Sequence, residues 1–171
     1  MNVYLTGFMG AGKSTIGRFL AALLGRPFLE MDELIEEREQ MTIVEIFRSR
    51  GEAGFRELES SMLRESGASR PAVVAMGGGV LSVPANKKWL AEHGTTVWLD
   101  VPFDELLRRL REEDRERRPL FENESQARAL YKRRLRDYRD SGLRIEVSSA
   151  QSAADVAALI RDRLEEKRCG I

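Results

Sequence analysis

The chain opens with Asn2-Val3-Tyr4-Leu5-Thr6 followed by Gly7-Phe8-Met9-Gly10-Ala11-Gly12-Lys13-Ser14. The second stretch has the form G-x-x-x-x-G-K-[ST], and its context matches what that form requires. An apolar strand, Asn2–Thr6, precedes it, and a helix over Ser14–Gly25 follows, with Ile16, Phe19, Leu20, Leu23 and Leu24 on one stripe. The spacing has a physical reason. Glycines let backbone amides curl around phosphate oxygens, Lys13 adds a cation at the β- and γ-phosphates, and Ser14 offers a hydroxyl to Mg2+. The partial positive charge of the helix N-terminus adds to this. Nucleoside triphosphate binding is the expectation, with Gly10, Ala11, Gly12, Lys13, Ser14 and Thr15 as the residues nearest the phosphates.

Outward from this loop, short apolar runs alternate with longer amphipathic stretches. Strands are predicted at Phe28–Met31, Ala72–Met76, Thr95–Asp100 and Arg144–Val147. Helices are predicted at Glu33–Gln40, from the capping box Thr42-Ile43-Val44-Glu45 to a break at Gly51, then at Glu52–Ser66, Pro84–His93, Asp104–Glu112, Ser125–Arg139 and Ala153–Lys167. Strands separated by helices imply parallel βαβ units, hence an α/β fold with a five-stranded parallel sheet. The 171 residues fit one domain. The stretch from about 112 to 124 is almost all charged and without strand signal, and reads as an excursion from it.

Composition removes several chemistries. Basic and acidic side chains number 28 each, which argues against a polyanion or membrane-surface binder. No apolar run approaches a membrane span, and the first residues lack the basic start of a signal peptide. Cys169 is the one cysteine and His93 the one histidine, so disulfide frameworks, cysteine zinc sites and serine–histidine catalysis are set aside. Catalysis must rest on carboxylates, Lys or Arg, backbone amides or a bound ion. The zero net charge conceals segments of opposite sign: 27–66 carry 5 basic and 11 acidic side chains, and 101–144 carry 13 basic and 10 acidic.

Three further features point to a site. Glu30 and Asp32 lie at the carboxyl end of the second strand, where open parallel sheets bind ligands. One carboxylate would hold Mg2+ through water and the other would accept a hydrogen bond from an attacking hydroxyl. The alternative explanation of both is a helix N-terminus that favours acids. Gly77-Gly78-Gly79 ends the third strand and permits close approach of backbone to a ligand. Among 23 arginines, Arg56, Arg118 and Arg134 stand out by setting; arginine forks bind carboxylate and phosphate.

Together these residues resemble the shikimate kinase family over nearly the whole chain. The matching signatures are Gly7 to Gly17, Asp32, Ile46-Phe47, Gly51-Glu52 with Phe55-Arg56 and Glu59, the three glycines, Arg118-Pro119-Leu120, and Arg134 with Tyr138. The resemblance implies the P-loop kinase fold of the nucleoside-monophosphate-kinase type, with strand order 2-3-1-4-5. It implies transfer of the ATP γ-phosphoryl group to the 3-hydroxyl of shikimate, on the route to aromatic amino acids, by a cytoplasmic monomer with a substrate region at about 32–66 and a lid at about 112–124. Asp32 would orient or deprotonate the attacking hydroxyl. Arg56 and Arg134 would clamp the shikimate carboxylate, Gly78 and Gly79 would offer amides, and Phe47 and Phe55 would form apolar walls. Glu59 would hold Arg56, Arg118 would come from the lid to the phosphate, and Arg109 would stack on adenine, with Arg111 as competitor. Lys13, Asp32 and Arg118 are thus the expected catalytic residues, and Ser14 and Glu30 the expected Mg2+ residues.

The chain departs from the family pattern in three places. Glu30 stands where Asp is usual, Ser148–Ala153 lacks the usual proline, and Phe121 replaces a usual leucine. Two rivals remain from the residues: another small-molecule kinase of the same fold, acting on gluconate or a nucleotide, and a nucleotide-binding regulatory module with weakened catalysis. A neutral or phosphorylated acceptor would not need two arginines for a carboxylate.

Overall fold

The computed structural model describes residues 1–66, 70–112 and 124–169, with the side chains of 110–112 and 168–169 outside the description. Five parallel strands, β1 (Asn2–Thr6), β2 (Phe28–Glu30), β3 (Val73–Ala75), β4 (Gly94–Asp100) and β5 (Leu143–Glu146), form one sheet in the order β2-β3-β1-β4-β5. β1 is fully buried along its length, as a central parallel strand covered on both faces must be. Alternate side chains feed two cores. Val3, Leu5, Val73, Val97 and Leu99 join one, and Tyr4, Val74 and Trp98 the other, which follows from the two-residue period of a strand.

Helices α1 (Lys13–Leu24), α5 (Phe103–Glu112) and α7 (Ala153–Cys169) contribute to the first core; α2 (Met31–Glu39), α3 (Ile43–Glu65) and α4 (Pro84–His93) contribute to the second. This makes the three-layer arrangement. Helix α6 (Glu124–Arg139) buries only Ala127 and Tyr138 fully. None of the helices among the described residues is long and apolar enough to cross a membrane.

Three expectations change. Met31 does not end β2; it opens α2, where it is buried and packs in one core with Ile35, one turn on. The α1 stripe is rotated: Ile16, Gly17, Leu20 and Ala21 face inward, while Phe19 and Leu23 are exposed. The reason is Gly17, where a methyl group would press on Leu5 at 3.0 Å and overlap Phe28, so the helix seats directly on the sheet along that line. The closing helix runs on through Cys169, because no breaker precedes Gly170.

Helix α3 shows how local sequence shapes the site. Thr42 and Glu45 form the expected capping box, with the Glu45 amide donating to Thr42 Oγ1 at 3.3 Å and the Thr42 amide donating to Glu45 Oε2 at 2.8 Å. At Gly51 the chain leaves helical geometry, with φ 68° and ψ −176°, a region reserved almost wholly for glycine. The kink turns Phe47, before it, onto Phe55, after it, with ring centroids 4.6 Å apart. A methyl group at Gly51 would meet nothing within 4 Å, so the cost of alanine there is purely conformational. Gly51→Ala is expected to remove about 1–3 kcal/mol of stability, read as a lower urea midpoint at unchanged slope. An unmoved midpoint would mean that the kink relaxes freely.

Candidate active site

The loop between β1 and α1 lies at the carboxyl end of the central strand. Glu30 ends β2 and the three glycines follow β3, so three adjacent strand ends meet there. They line a cavity of about 650 Å3, to which Gly10, Gly12, Lys13, Ser14 and Thr15 all contribute. Gly12 precedes α1 with φ 86°, and no side chain caps the helix, which leaves its first amides directed at whatever enters. Lys13 folds back over the loop and donates to the carbonyls of Gly7 at 3.0 Å and Phe8 at 3.3 Å. Ala11 behaves differently from expectation. Its amide donates to the Phe8 carbonyl at 3.1 Å and its methyl group is buried in the core, because the loop's own turn uses that amide.

Glu30 and Asp32 both reach this cavity. The chain passes from strand to helix between them, since α2 begins at Met31, and the two carboxylates lie near enough for each charge to be felt by the other. Glu30 Oε2 and Asp32 Oδ1 are buried without a hydrogen-bond partner among the described residues. Burial pushes the Glu30 carboxyl above its ordinary range, while a hydrogen bond from Ser14 and the Lys13 charge pull it down and Asp32 pushes it up. Burial also raises Asp32, against the opposing pull of Lys13 and Arg56. Glu30 Oε2, an orphaned acceptor beside the phosphate loop, is what the water shell of a cation would satisfy. Among the described residues no cluster of three or more His, Cys, Asp or Glu is placed to hold a metal by itself. That suits Mg2+, which takes most of its ligands from water and substrate phosphates.

The opposite wall is cationic. Arg56, on α3 beyond the kink, pairs with Glu59 and with Glu52 at 3.2 Å. Glu59 is 1% exposed; burial raises its carboxyl, and the Arg56 charge and hydrogen bond hold it down. Arg134, on α6, comes from the other side. A methyl group on Gly78 would stand 2.7 Å from Arg134 Nη1, and one on Gly79 would overlap the Arg56 guanidinium. The two glycines are therefore the floor on which both forks rest. Tyr138 donates to the Gly78 carbonyl at 2.8 Å, and burial raises its phenol well above the ordinary value. Phe47 and Phe55 complete the wall, with the Arg56 guanidinium 5.4 Å from the Phe55 ring centre.

Other expected residues are not brought here. Arg109 donates to Glu105 at 2.8 Å on its own helix and does not line the cavity. The Arg111 side chain lies outside the description, as do Arg118, Phe121 and the bulk of the expected lid, 113–123. The loop after β5 is folded on itself: the Ser148 amide donates to Gln151 at 2.9 Å, and Ser152 caps α7 with Asp155. His93 ends α4 with its ring stacked 4.2 Å from Trp89, away from the cavity. Met9, Ile43 and Met76 also line the cavity. Sequence reasoning passed over them because an apolar residue beside a motif reads as core; for Ile43 the signal was its place directly after the N-cap Thr42, inside the capping box.

Comparison with known proteins supports the same picture. The family model for Shikimate kinase matches residues 9–165. A shikimate kinase of Synechococcus elongatus is 43% identical over 154 residues, covering 88% of this chain and 80% of that protein. One from Helicobacter hepaticus is 40% identical over 167 residues, 97% of each. The solved structure of the Acinetobacter baumannii shikimate kinase in complex with shikimate superposes with a TM-score of 0.85 at 37% identity, over 97% of this chain and 93% of that one. The matched span holds the lysine of the loop, both carboxylates, the glycine floor and both arginines, and with that the chain belongs to the shikimate kinase family.

Proposed function

We propose that this enzyme transfers the γ-phosphoryl group of ATP to the 3-hydroxyl of shikimate, with Mg2+ as cofactor, as a cytoplasmic monomer. It does so through one domain with a substrate region at about 32–66 and a lid at about 112–124. The observation that carries the reading is the convergence of two guanidiniums on Gly78-Gly79, in the same cavity as the phosphate loop and Asp32. A forked pair suits a small acceptor bearing a carboxylate. Asp32, whose Oδ1 is buried without a partner among the described residues, suits an acceptor hydroxyl placed between clamp and nucleotide.

In this reading the shikimate 3-hydroxyl oxygen bonds to the γ-phosphorus while the bond to the β–γ bridging oxygen breaks, and ADP leaves. Asp32 receives the hydroxyl proton. Arg56 and Arg134 hold the carboxylate so that the hydroxyl faces the nucleotide. Lys13 neutralises charge that builds on the phosphoryl oxygens, and Arg118, from the lid, adds to that charge balance. Ser14, and Glu30 through water, would hold Mg2+. When bound, Mg2+ neutralises phosphate charge and orients the phosphates. Arg109 and Arg111 are the candidates for contact with adenine.

A coupled assay of ADP release tests the reading directly. ADP release is expected with shikimate, with background rates for gluconate, nucleoside monophosphates or no acceptor. Release that is greatest with gluconate or a nucleotide would assign a different acceptor. Nucleotide binding without release under any acceptor would support the regulatory reading instead.

A further inference from the structure

We propose that Asp137, gripped by Ser82 and Lys87, is a positioning residue for the carboxylate clamp. The inference rests on the shikimate reading above and adds to it a contact between elements that the site motifs do not include. Asp137 lies on α6 three residues after Arg134, and Tyr138 four after it, so Arg134 neighbours both on the helix surface. The two Asp137 oxygens are both engaged. Lys87 Nζ, on α4, donates to Oδ1 at 2.8 Å, and Ser82 Oγ donates to Oδ2 at 2.9 Å.

The contact matters because of what α6 lacks. The helix fully buries only Ala127 and Tyr138, and Leu130, Tyr131 and Leu135 are only partly buried against the two cores, so polar contacts share in fixing it. Tyr131 secures its middle, with rings packed on Phe8 and Phe103 and the hydroxyl donating to the Val101 carbonyl at 3.0 Å. Tyr138 sets how closely the last turns approach Gly78. The Asp137 carboxylate, held from outside the cavity, sets the rotation of those turns about the helix axis, and the rotation decides where the Arg134 fork points. Ser82 is itself joined to the glycine floor, for its amide donates to the Gly79 carbonyl at 3.0 Å. The clasp therefore locks the floor and one arm of the clamp in a single register.

The test reads shikimate and ATP separately on the full-length enzyme. Asp137→Ala removes both bonds and is expected to raise the shikimate KM about tenfold, while Asp137→Asn, which can keep the Ser82 contact, raises it about threefold, the range open to partly exposed polar pairs. Calorimetric shikimate affinity should weaken in step, with the ATP KM and kcat each within about twofold of wild type. Lys87→Glu alone should resemble Asp137→Ala, and its combination with Asp137→Lys should recover most of the loss. Should Asp137→Ala fail to fold, Lys87→Met and Ser82→Ala report from the other side of the contact, expected at about threefold each.

An unchanged shikimate KM in these variants overturns the clasp alone, as does a parallel rise in the ATP KM, which would mark general destabilisation. A wild-type enzyme that neither binds shikimate nor releases ADP with it overturns the substrate reading, and the clasp's role with it.

Discussion

Asp32→Asn is expected to lower kcat by about 100- to 10,000-fold, the range that a positioned general base supplies. The substitution keeps volume and hydrogen-bonding capacity but cannot take a proton. Asp32 Oδ1 is buried with no partner among the described residues. Burial of a polar oxygen without a partner is costly, so its retention implies a partner that arrives with the substrate. The rest of its surroundings sets its charge state. Burial raises the Asp32 carboxyl, while Lys13 and Arg56 keep it from rising further. A raised value brings a base closer to the working pH and favours proton transfer. The sign for pH follows: the active form is the carboxylate, so kcat/KM falls as pH drops through the raised value, and the acid limb lies above that of an ordinary aspartate. Steady-state kinetics of Asp32→Asn across pH check both points. A kcat within tenfold of wild type, with the acid limb unmoved, would leave Asp32 only a shikimate-orienting role.

Much of this was legible in the chain, and what was not has physical causes. The phosphate loop is legible because its spacing is dictated by a triphosphate and its glycines and lysine all fall within the short stretch Gly7 to Lys13. The alternation of strands and helices gave a parallel sheet, but the order β2-β3-β1-β4-β5 came only through the resemblance, since periodicity says nothing about which strands are neighbours. The α1 stripe was misplaced because Phe19 and Leu23 flank the buried line closely enough to share its hydrophobic period; only the seating of Gly17 against Leu5 and Phe28 decides the rotation. Ile43 and Met76 line the cavity yet read as core, because pocket walls and core use the same side chains. Glu30 ends β2 and Asp32 already belongs to α2, a strand-to-helix switch that periodicity places only to within a residue or two, yet both line the cavity. The bond between Lys87 and Asp137 spans 50 positions, and no local pattern announces a contact of that kind.

Arg56→Lys is expected to raise the shikimate KM about 10- to 100-fold, the loss of one strong charge-assisted fork, with the ATP KM within about twofold. Arg56 has one planar fork and three duties: its Nη1 serves Glu59, its Nη2 reaches Glu52 at 3.2 Å, and its face rests against Gly79 and the Phe55 ring. Planarity lets one residue meet partners on separate edges at once. A lysine ammonium is a single point and must choose, and Glu59, at 1% exposure, leaves it little choice, because a buried carboxylate holds the nearest cation. The lysine would thus stay with Glu59 and be drawn away from the substrate. Alanine is the poorer probe: it would strand Glu59 as a buried charge, at a cost of about 3–5 kcal/mol, and confuse folding with binding. Glu59→Gln supplies the control. It frees the fork from its anchor without removing it, so it should raise the shikimate KM less than Arg56→Lys does, and in the double variant the two effects should fall short of multiplying. Fully multiplicative effects would show that Glu59 and Arg56 act independently, and an unchanged KM in Arg56→Lys would remove Arg56 from the carboxylate site.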